Sequence, residues 1–547
     1  MAVPILLFVV ALMARALTAS LFPDPAYPDA YYYANLARAI AGGEGFQVDF
    51  IWNFVEVGGR LPEAGSLPIP SNAHWMPLAA LVQVPFIWTL GPTAAAAGLP
   101  FWLAAAAVAP LTYLIARDAG MPAWQAGAAG LLAAMPAAIA PFLGQPDNFA
   151  LFMPLGALAL WLCARGMRGH RWSFAAGGLV VGLAFLSRTD GVLLGVPFAI
   201  VFLYDLVREP RATRIGWGAG LAFAAGFTLL AAPWLVRQVD VFGSLSPSSA
   251  SGRILFITEY RELYSVTSET TIDSFLAQGA SSLVWSRLGG LGSALLIFAA
   301  MPLLVFLVPL LLLGAWLRRR SPDFLPWLIY AVLLFVFTAL VSAVHVPFGT
   351  FIHSAVALVP HAYLLVLLGL AALVRWVAAR RSSWNAPRAA RNFSFMVVGV
   401  VAVASIVTSL TTIGAWSAER EARSEVLTAL EANADPGDVI MSPDAGAYRY
   451  QGGWSGIVTP DDPLTVVEEA LRRYDVRWLA LERAHTTRAL APVLAGQARP
   501  SWLSAPIVEV PSLSTDDAAS GSDDEPTMPR AALYAVCLRP DDPRCSA

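Results

Sequence analysis

The residues best suited to chemistry stand just after the first apolar run, where Tyr27-Pro-Asp29-Ala-Tyr-Tyr-Tyr33 leads on to Gly43-Glu44-Gly45-Phe46. The run from Ala2 to about Phe22 is long enough to cross a bilayer, so Asp29 is expected at the water interface just beyond it. A carboxylate held there can act on a lipid-borne head group. Charged and imidazole residues recur at later breaks between apolar runs. These are His74-Trp-Met-Pro77, Pro146-Asp147-Asn148, Leu186-Ser-Arg188-Thr-Asp190-Gly191 and Gly349-Thr-Phe-Ile-His353-Ser354.

Such breaks need a frame to hold them, and the composition says what kind. Hydrophobic residues make up 57% of the chain, charged residues only 13%, and mean hydropathy is +0.61, which implies a mainly α polytopic membrane protein embedded in a lipid bilayer. Net charge is −3, so nucleic acid is not an expected partner. The sequence contains no lysine, and all 35 basic groups are arginine. Schiff-base chemistry and Walker-type phosphate binding are thereby excluded.

Arginine-rich loops at Arg165 to Arg171, Arg208 to Arg214, Arg318 to Arg320 and Arg375 to Arg391 are expected in the cytoplasm. Between them lie apolar spans near 96–117, 122–142, 148–164, 173–187, 191–207, 215–235, 290–317, 323–344, 354–378 and 393–416. With the first helix they make about eleven transmembrane helices. Alternation puts Arg117 and Asp118 inside only if Met76 to Leu90, interrupted by Pro77 and Pro85, is an interfacial or re-entrant helix in the first outer loop, 21–95. The acidic and polar breaks then share the outer side with the long loop 236–289. Ala2 to Ser20 can also be read as a signal peptide ending in Ala16-Leu-Thr-Ala-Ser; Asp29 stays outside either way.

Residues 1–416 thus form a transmembrane domain, and 417–547 read as a small extracytoplasmic α/β domain. Its expected elements are an amphipathic helix over 418–432, strands at 438–441, 476–481, 507–510 and 531–538, and helices at 463–474 and 486–494. The Ser-, Asp- and Gly-rich segment 512–529 reads as disordered. Cys163 reads as a buried apolar residue, and Cys537 and Cys545 can meet across the intervening turn, which leaves a disulfide open.

The order and shared sidedness of these motifs resemble the polyprenyl-phosphate-sugar-dependent membrane glycosyltransferases of the GT-C superfamily, of the protein mannosyltransferase and aminoarabinose transferase types. The carriers are Asp29-Ala-Tyr-Tyr-Tyr33 with Gly43-Glu44-Gly-Phe46, His74-Trp-Met-Pro77-Leu, Pro146-Asp147-Asn148, Leu186-Ser-Arg188-Thr-Asp190-Gly191, Gly349-Thr-Phe-Ile-His353-Ser and the C-terminal α/β domain. Two departures stand out. Ala30 follows Asp29 where protein mannosyltransferases carry an adjacent Asp-Glu pair, and Arg188 stands where many relatives use Lys.

The resemblance implies transfer of a sugar from a polyprenyl-phosphate-linked donor to a hydroxyl of a glycan, lipid or protein acceptor, on the outer face of the cytoplasmic membrane. Such a reaction needs a base for the acceptor and a cation for the departing phosphate. Asp29 is the candidate base, with Asp147 as catalytic partner. Arg188 is the first candidate for the donor phosphate, followed by Arg261 and His353; His74, Tyr33, Asp190 and Glu44 are candidate substrate contacts. Asp29 and Asp147 can also be ligands of a divalent cation, Mg or Mn.

Each residue has a plainer role as well. Tyr31 to Tyr33 suit an interfacial aromatic belt. Asp29 suits the N-cap of a helix starting near Ala30, and Asp147 that of a helix starting at Asn148. Arg188 and Asp190 can simply pair at a helix end, Glu259-Tyr-Arg261 can be a solvated charge run, and His361 can be packed in a span. Tyr448, Tyr450 and Trp454 suit core packing, with sugar stacking the alternative. Two other functions compete: a transporter or flippase of lipid-linked saccharides, and a non-catalytic cell-envelope scaffold. Transport favours ionisable groups near the bilayer midplane and repeated halves, whereas here the carboxylates fall at helix ends and no repeat is evident.

Overall fold

The computed structural model describes residues 2–207, 215–245, 256–257, 259–341, 350–381, 384–512, 528–538 and 545. The chain divides into two compact units: residues 1–24, 75–240 and 279–413 form the first, and 25–74, 241–278 and 414–547 the second. The Arg208 to Arg214 loop, His345 and Gly349, and the core of the segment read as disordered lie outside the described residues.

The first unit is a bundle of apolar helices. Among the described residues eight helices are long and apolar enough to cross a membrane, or nine if the bent pair Ala123–Ala134 and 137–144 is one span. That pair bends by 45°, where Pro136 interrupts the helix and Ala137 takes a φ of 50°. A bend in an apolar bundle frees backbone carbonyls that must find donors. Arg15, buried in the helix Ala2–Leu21, gives Nη1 to Ala140 O at 2.5 Å and Nη2 to Ala134 O at 2.7 Å. Ser405 Oγ meets Met135 O at 2.8 Å.

Elsewhere the helices approach closely through glycine. A Cβ on Gly314 would lie 2.0 Å from Leu365 O, and one on Gly369 would lie 2.1 Å from Leu310 O, so Val308–Arg318 and Val359–Ala378 pack backbone to backbone. Three breaks expected on the cytoplasmic side come together. Arg168 pairs with Asp118 and, at 3.1 Å, with Asp323, while Trp161 Nε1 donates to Asp118 at 2.7 Å.

Two expectations for the helices need correction. The stretch 290–317 is not one span but two helices, Ala280–Ala300 and Val308–Arg318. The residues between include Leu304 and Val305 at φ 50° and 61°, a break that an all-apolar composition does not announce. Conversely, the last span and the amphipathic helix after it are one continuous helix, Ala386–Asn433. Near Trp416 only the polarity of its face changes, and no proline interrupts the hydrogen bonding there.

The second unit is built on a six-stranded sheet ordered Phe50–Ile51, Gly456–Val458, Val439–Ser442, Val476–Glu482, Ala531–Val536 and Leu503–Val510. The first four strands are parallel and the last two pairings antiparallel. Phe50–Ile51 comes from the first loop, some 400 positions from its partner Gly456–Val458, so the loop contributes an edge strand to a sheet otherwise C-terminal in sequence. Ala422, Val426 and Leu430 pack on the sheet against Ile440, Trp478 and Leu533. The helix Ala445–Gly452 and the strand Gly456–Val458 add to the expected elements, and the helix expected over 486–494 is reduced to Ala491–Leu494. Cys537 and Cys545 form a disulfide with their Cα atoms 5.6 Å apart.

Candidate active site

In the first unit the polar residues cluster at helix ends. Asp147 is the N-cap of Asn148–Met167, accepts from Asn148 N and is fully buried. Its Oδ2 lies 3.2 Å from His353 Nε2, and the His353 ring packs against Phe149 in a tilted arrangement at 3.9 Å between centroids. Gly156 makes this approach possible: a Cβ there would stand 2.2 Å from Ala357 Cβ, just beyond His353 in the chain. The capping role and the clustering of charged groups coexist in Asp147.

Arg188 closes the C-terminal end of the helix Arg171–Ser187 in an extended conformation. Its Nε donates to Asp190 Oδ1 at 3.1 Å and to Ser354 Oγ at 3.0 Å, and Ser354 in turn donates to Asp190 Oδ2. The turn is tight because residue 191 is glycine: a Cβ there would sit 2.3 Å from Ala184 O. Arg188 and Asp190 keep only 12% and 13% of their side-chain surface, enough exposure to meet a ligand and little enough to hold one geometry. Tyr330, buried in Leu325–Leu340, brings a hydroxyl that has no hydrogen-bond partner among the described residues.

The second unit holds the rest. Asp29 is half-buried in the first turn of Pro28–Ala41, where the positive end of the helix dipole favours a carboxylate. It is not the N-cap; Tyr27 takes that position without a side-chain bond. The short helix Tyr260–Leu263 belongs to the same unit, and burial, Tyr260 and Asp29 together push the Tyr264 phenol well above its ordinary range. Asp462 anchors this loop, accepting from Ser265 Oγ at 2.7 Å and Val266 N at 2.7 Å.

Several expected contacts change character. Tyr33 is fully buried, meeting Tyr32 edge-on at 5.9 Å, so it is core rather than a substrate contact or part of an aromatic belt. Tyr448 is core too. Arg261 is exposed and paired with Glu259 at 2.5 Å, the solvated reading of that run. His74 lies against the Trp52 ring at 5.7 Å, Glu44 lies exposed in the loop after Pro28–Ala41, and His361 is buried. Ser354 and Tyr330 were not foreseen. A hydroxyl beside a motif histidine and a tyrosine in an apolar span carry little signal on their own.

An oligosaccharyltransferase from Archaeoglobus fulgidus, solved in the apo form, superposes with a TM-score of 0.53 at 10% identity, over 98% of this chain and 88% of its own. ArnT from Cupriavidus metallidurans, solved bound to undecaprenyl phosphate, superposes with a TM-score of 0.52 at 15% identity, over 97% of both chains. This chain has the GT-C fold. At those identities the likeness is one of architecture. Neither a family model nor a curated protein matches the sequence.

Proposed function

We propose that this GT-C chain is a multi-pass membrane glycosyltransferase that takes a sugar from a polyprenyl-phosphate-linked donor and gives it to a hydroxyl of a glycan, lipid or protein acceptor. The observation that carries the reading is the Arg188, Asp190 and Ser354 network, a largely buried cation held at a helix end in a GT-C fold. ArnT, a GT-C neighbour, was solved with undecaprenyl phosphate, the leaving group that such a donor would release. The proposal puts the enzyme in the cytoplasmic membrane, with its acidic helix ends and its sheet on the outer face.

In the proposed reaction the acceptor oxygen attacks the anomeric carbon, and the bond from that carbon to the phosphate oxygen breaks. Polyprenyl phosphate departs with the bonding electrons, and the acceptor proton passes to Asp29. Arg188 balances the charge that grows on the phosphate. Asp190 and Ser354 fix its orientation beforehand, so no reorganisation is needed during transfer. General-base help is worth roughly a hundred- to ten-thousand-fold in such a step. A divalent cation is part of the proposal: the Asp147 carboxylate and the His353 imidazole fit Mn better than Mg, and a bound ion would supply further positive charge.

The test is transfer of radiolabelled sugar from a panel of polyprenyl-phosphate sugars in membranes holding wild type or Asp29→Asn at equal folded yield. Turnover that vanishes in the variant supports both the activity and the base. Absence of turnover from every donor would move the assignment to transport or scaffolding.

A further inference from the structure

A cavity of about 600 Å³ opens within the second unit, with no residue of the loop around Tyr264 in its lining. It falls within the roughly 300–1,000 Å³ of small-molecule sites. Its lining is more polar than theirs, since half of it is planar polar side chains, Asn35, Arg38, Glu44, Gln47, Asp49 and Arg449, set beside Val48, Phe50 and Pro68. Their formal charges cancel, two arginines against two carboxylates.

Several of these groups are fixed by the fold. Arg38 lies flat over the Tyr450 ring at 3.8 Å and donates to Tyr450 O at 3.3 Å. Arg449 pairs with Asp49 at 2.5 Å and donates to Gly453 O at 2.7 Å. Asn35 Nδ2 is held by Gly446 O at 2.8 Å, and Gln47 Nε2 by Glu44 O at 3.2 Å. The acceptors Asn35 Oδ1, Gln47 Oε1 and the Glu44 carboxylate receive no hydrogen bond from a described residue. The cavity therefore presents fixed planar donors beside open acceptors at zero net charge.

We propose that this cavity binds a neutral saccharide, as a subsite for the glycan acceptor of the transferase reading on which the inference rests. Sugar hydroxyls both donate and accept, so they pair with a lining that mixes guanidinium donors and carboxylate or amide acceptors. A phosphate has no use for the Glu44 and Asp49 carboxylates, and an apolar chain would leave Asn35 Oδ1, Gln47 Oε1 and the Glu44 carboxylate unmatched. Arg38 already covers the Tyr450 ring at 3.8 Å and Tyr31 packs beside it at 5.7 Å, so recognition runs through hydrogen bonds rather than through stacking on that ring.

The experiment is equilibrium dialysis of the full-length protein in detergent against radiolabelled neutral trisaccharides of glucose, mannose, galactose and arabinose, with inorganic phosphate as competitor. At least one trisaccharide should bind saturably. Gln47→Ala, at an exposed position, should weaken it about five- to tenfold, the worth of one neutral hydrogen bond. Ala39→Trp, which fills the cavity from its wall, should abolish binding at an unchanged melting temperature; if that variant does not fold, Gln47→Ala decides. The proposal fails if no trisaccharide binds, if neither variant changes binding, or if phosphate competes. Saccharide binding in a protein that transfers sugar from no donor would leave the subsite standing and overturn the transferase reading. Transfer without saccharide binding would do the reverse.

Discussion

His353 Nε2 lies 3.2 Å from Asp147 Oδ2 across 206 positions of sequence, and Asp147 is also the N-cap of its helix. The two roles separate by substitution. Asparagine caps about as well as aspartate, so Asp147→Asn should keep the melting temperature and lower sugar transfer, while Asp147→Ala should lose the cap as well, at about 1 kcal/mol. Thermal unfolding and turnover measured on both variants check this. Full activity in Asp147→Asn would reduce the residue to a cap.

Arg188 gives a second expectation. Arg188→Ala should lower kcat by about a hundred- to a thousandfold, as loss of one preorganised charge-stabilising donor does. Arg188→Lys should recover part of that, because a lysine keeps the charge and loses the planar fork that reaches Asp190 and Ser354 together. Ser354→Ala should fall between wild type and Arg188→Ala. Equal activity in Arg188→Ala and wild type would remove the network from the reaction.

How much of this was legible follows from how local each signal is. The span expected at 96–117 is the helix Ala94–Asp118, and the strand expected at 476–481 is Val476–Glu482, because a long apolar run and a short, largely apolar run are each signals carried within a few residues. The break at Leu304 and Val305 was hidden because its residues are as apolar as the helices on either side. Phe50–Ile51 joins a distant sheet with only two residues, too few for any periodicity. In the site, Asp147, Arg188 and Asp190 were legible as charges interrupting apolar runs. Ser354 and Tyr330 were not, since their importance comes from neighbours brought in by folding. The same holds for Arg15, a cation inside a span whose value lies in carbonyls freed by a bend more than 100 positions away.

Glu56 should make stability fall with rising pH. It is 6% exposed, and burial, opposed by Tyr32 and Trp52, pushes its carboxyl from 4.5 up to about 8. A raised acid holds its proton in the folded state and has lost it in the unfolded one between those values. Its stabilisation is complete below about pH 4.5 and drains away as pH climbs to about 8. Glu56→Gln keeps the shape and cannot ionise, so its melting temperature should match wild type near pH 4.5 and exceed it at pH 8. Parallel melting curves for the two proteins across that range would show that Glu56 is not held neutral.

The last expectation concerns Arg423 and Glu482, a bidentate pair at 2.9 and 2.7 Å with both partners almost fully buried. Burial pushes the Glu482 carboxyl up, and Arg423 outweighs it, leaving the group below its usual range. Arg423 also donates to Tyr31 Oη at 3.3 Å, so within the second unit one guanidinium ties the helix Pro28–Ala41 to the sheet. Glu482→Gln removes the charge that compensates a buried cation and should cost about 3–5 kcal/mol. Replacing both partners by apolar residues, Arg423→Met with Glu482→Leu, should recover most of that loss, because desolvation of the pair offsets much of its attraction. Thermal unfolding of the single and double variants decides. A double variant less stable than Glu482→Gln would mean that the guanidinium's bond to Tyr31, rather than its pairing with Glu482, holds this part of the unit together.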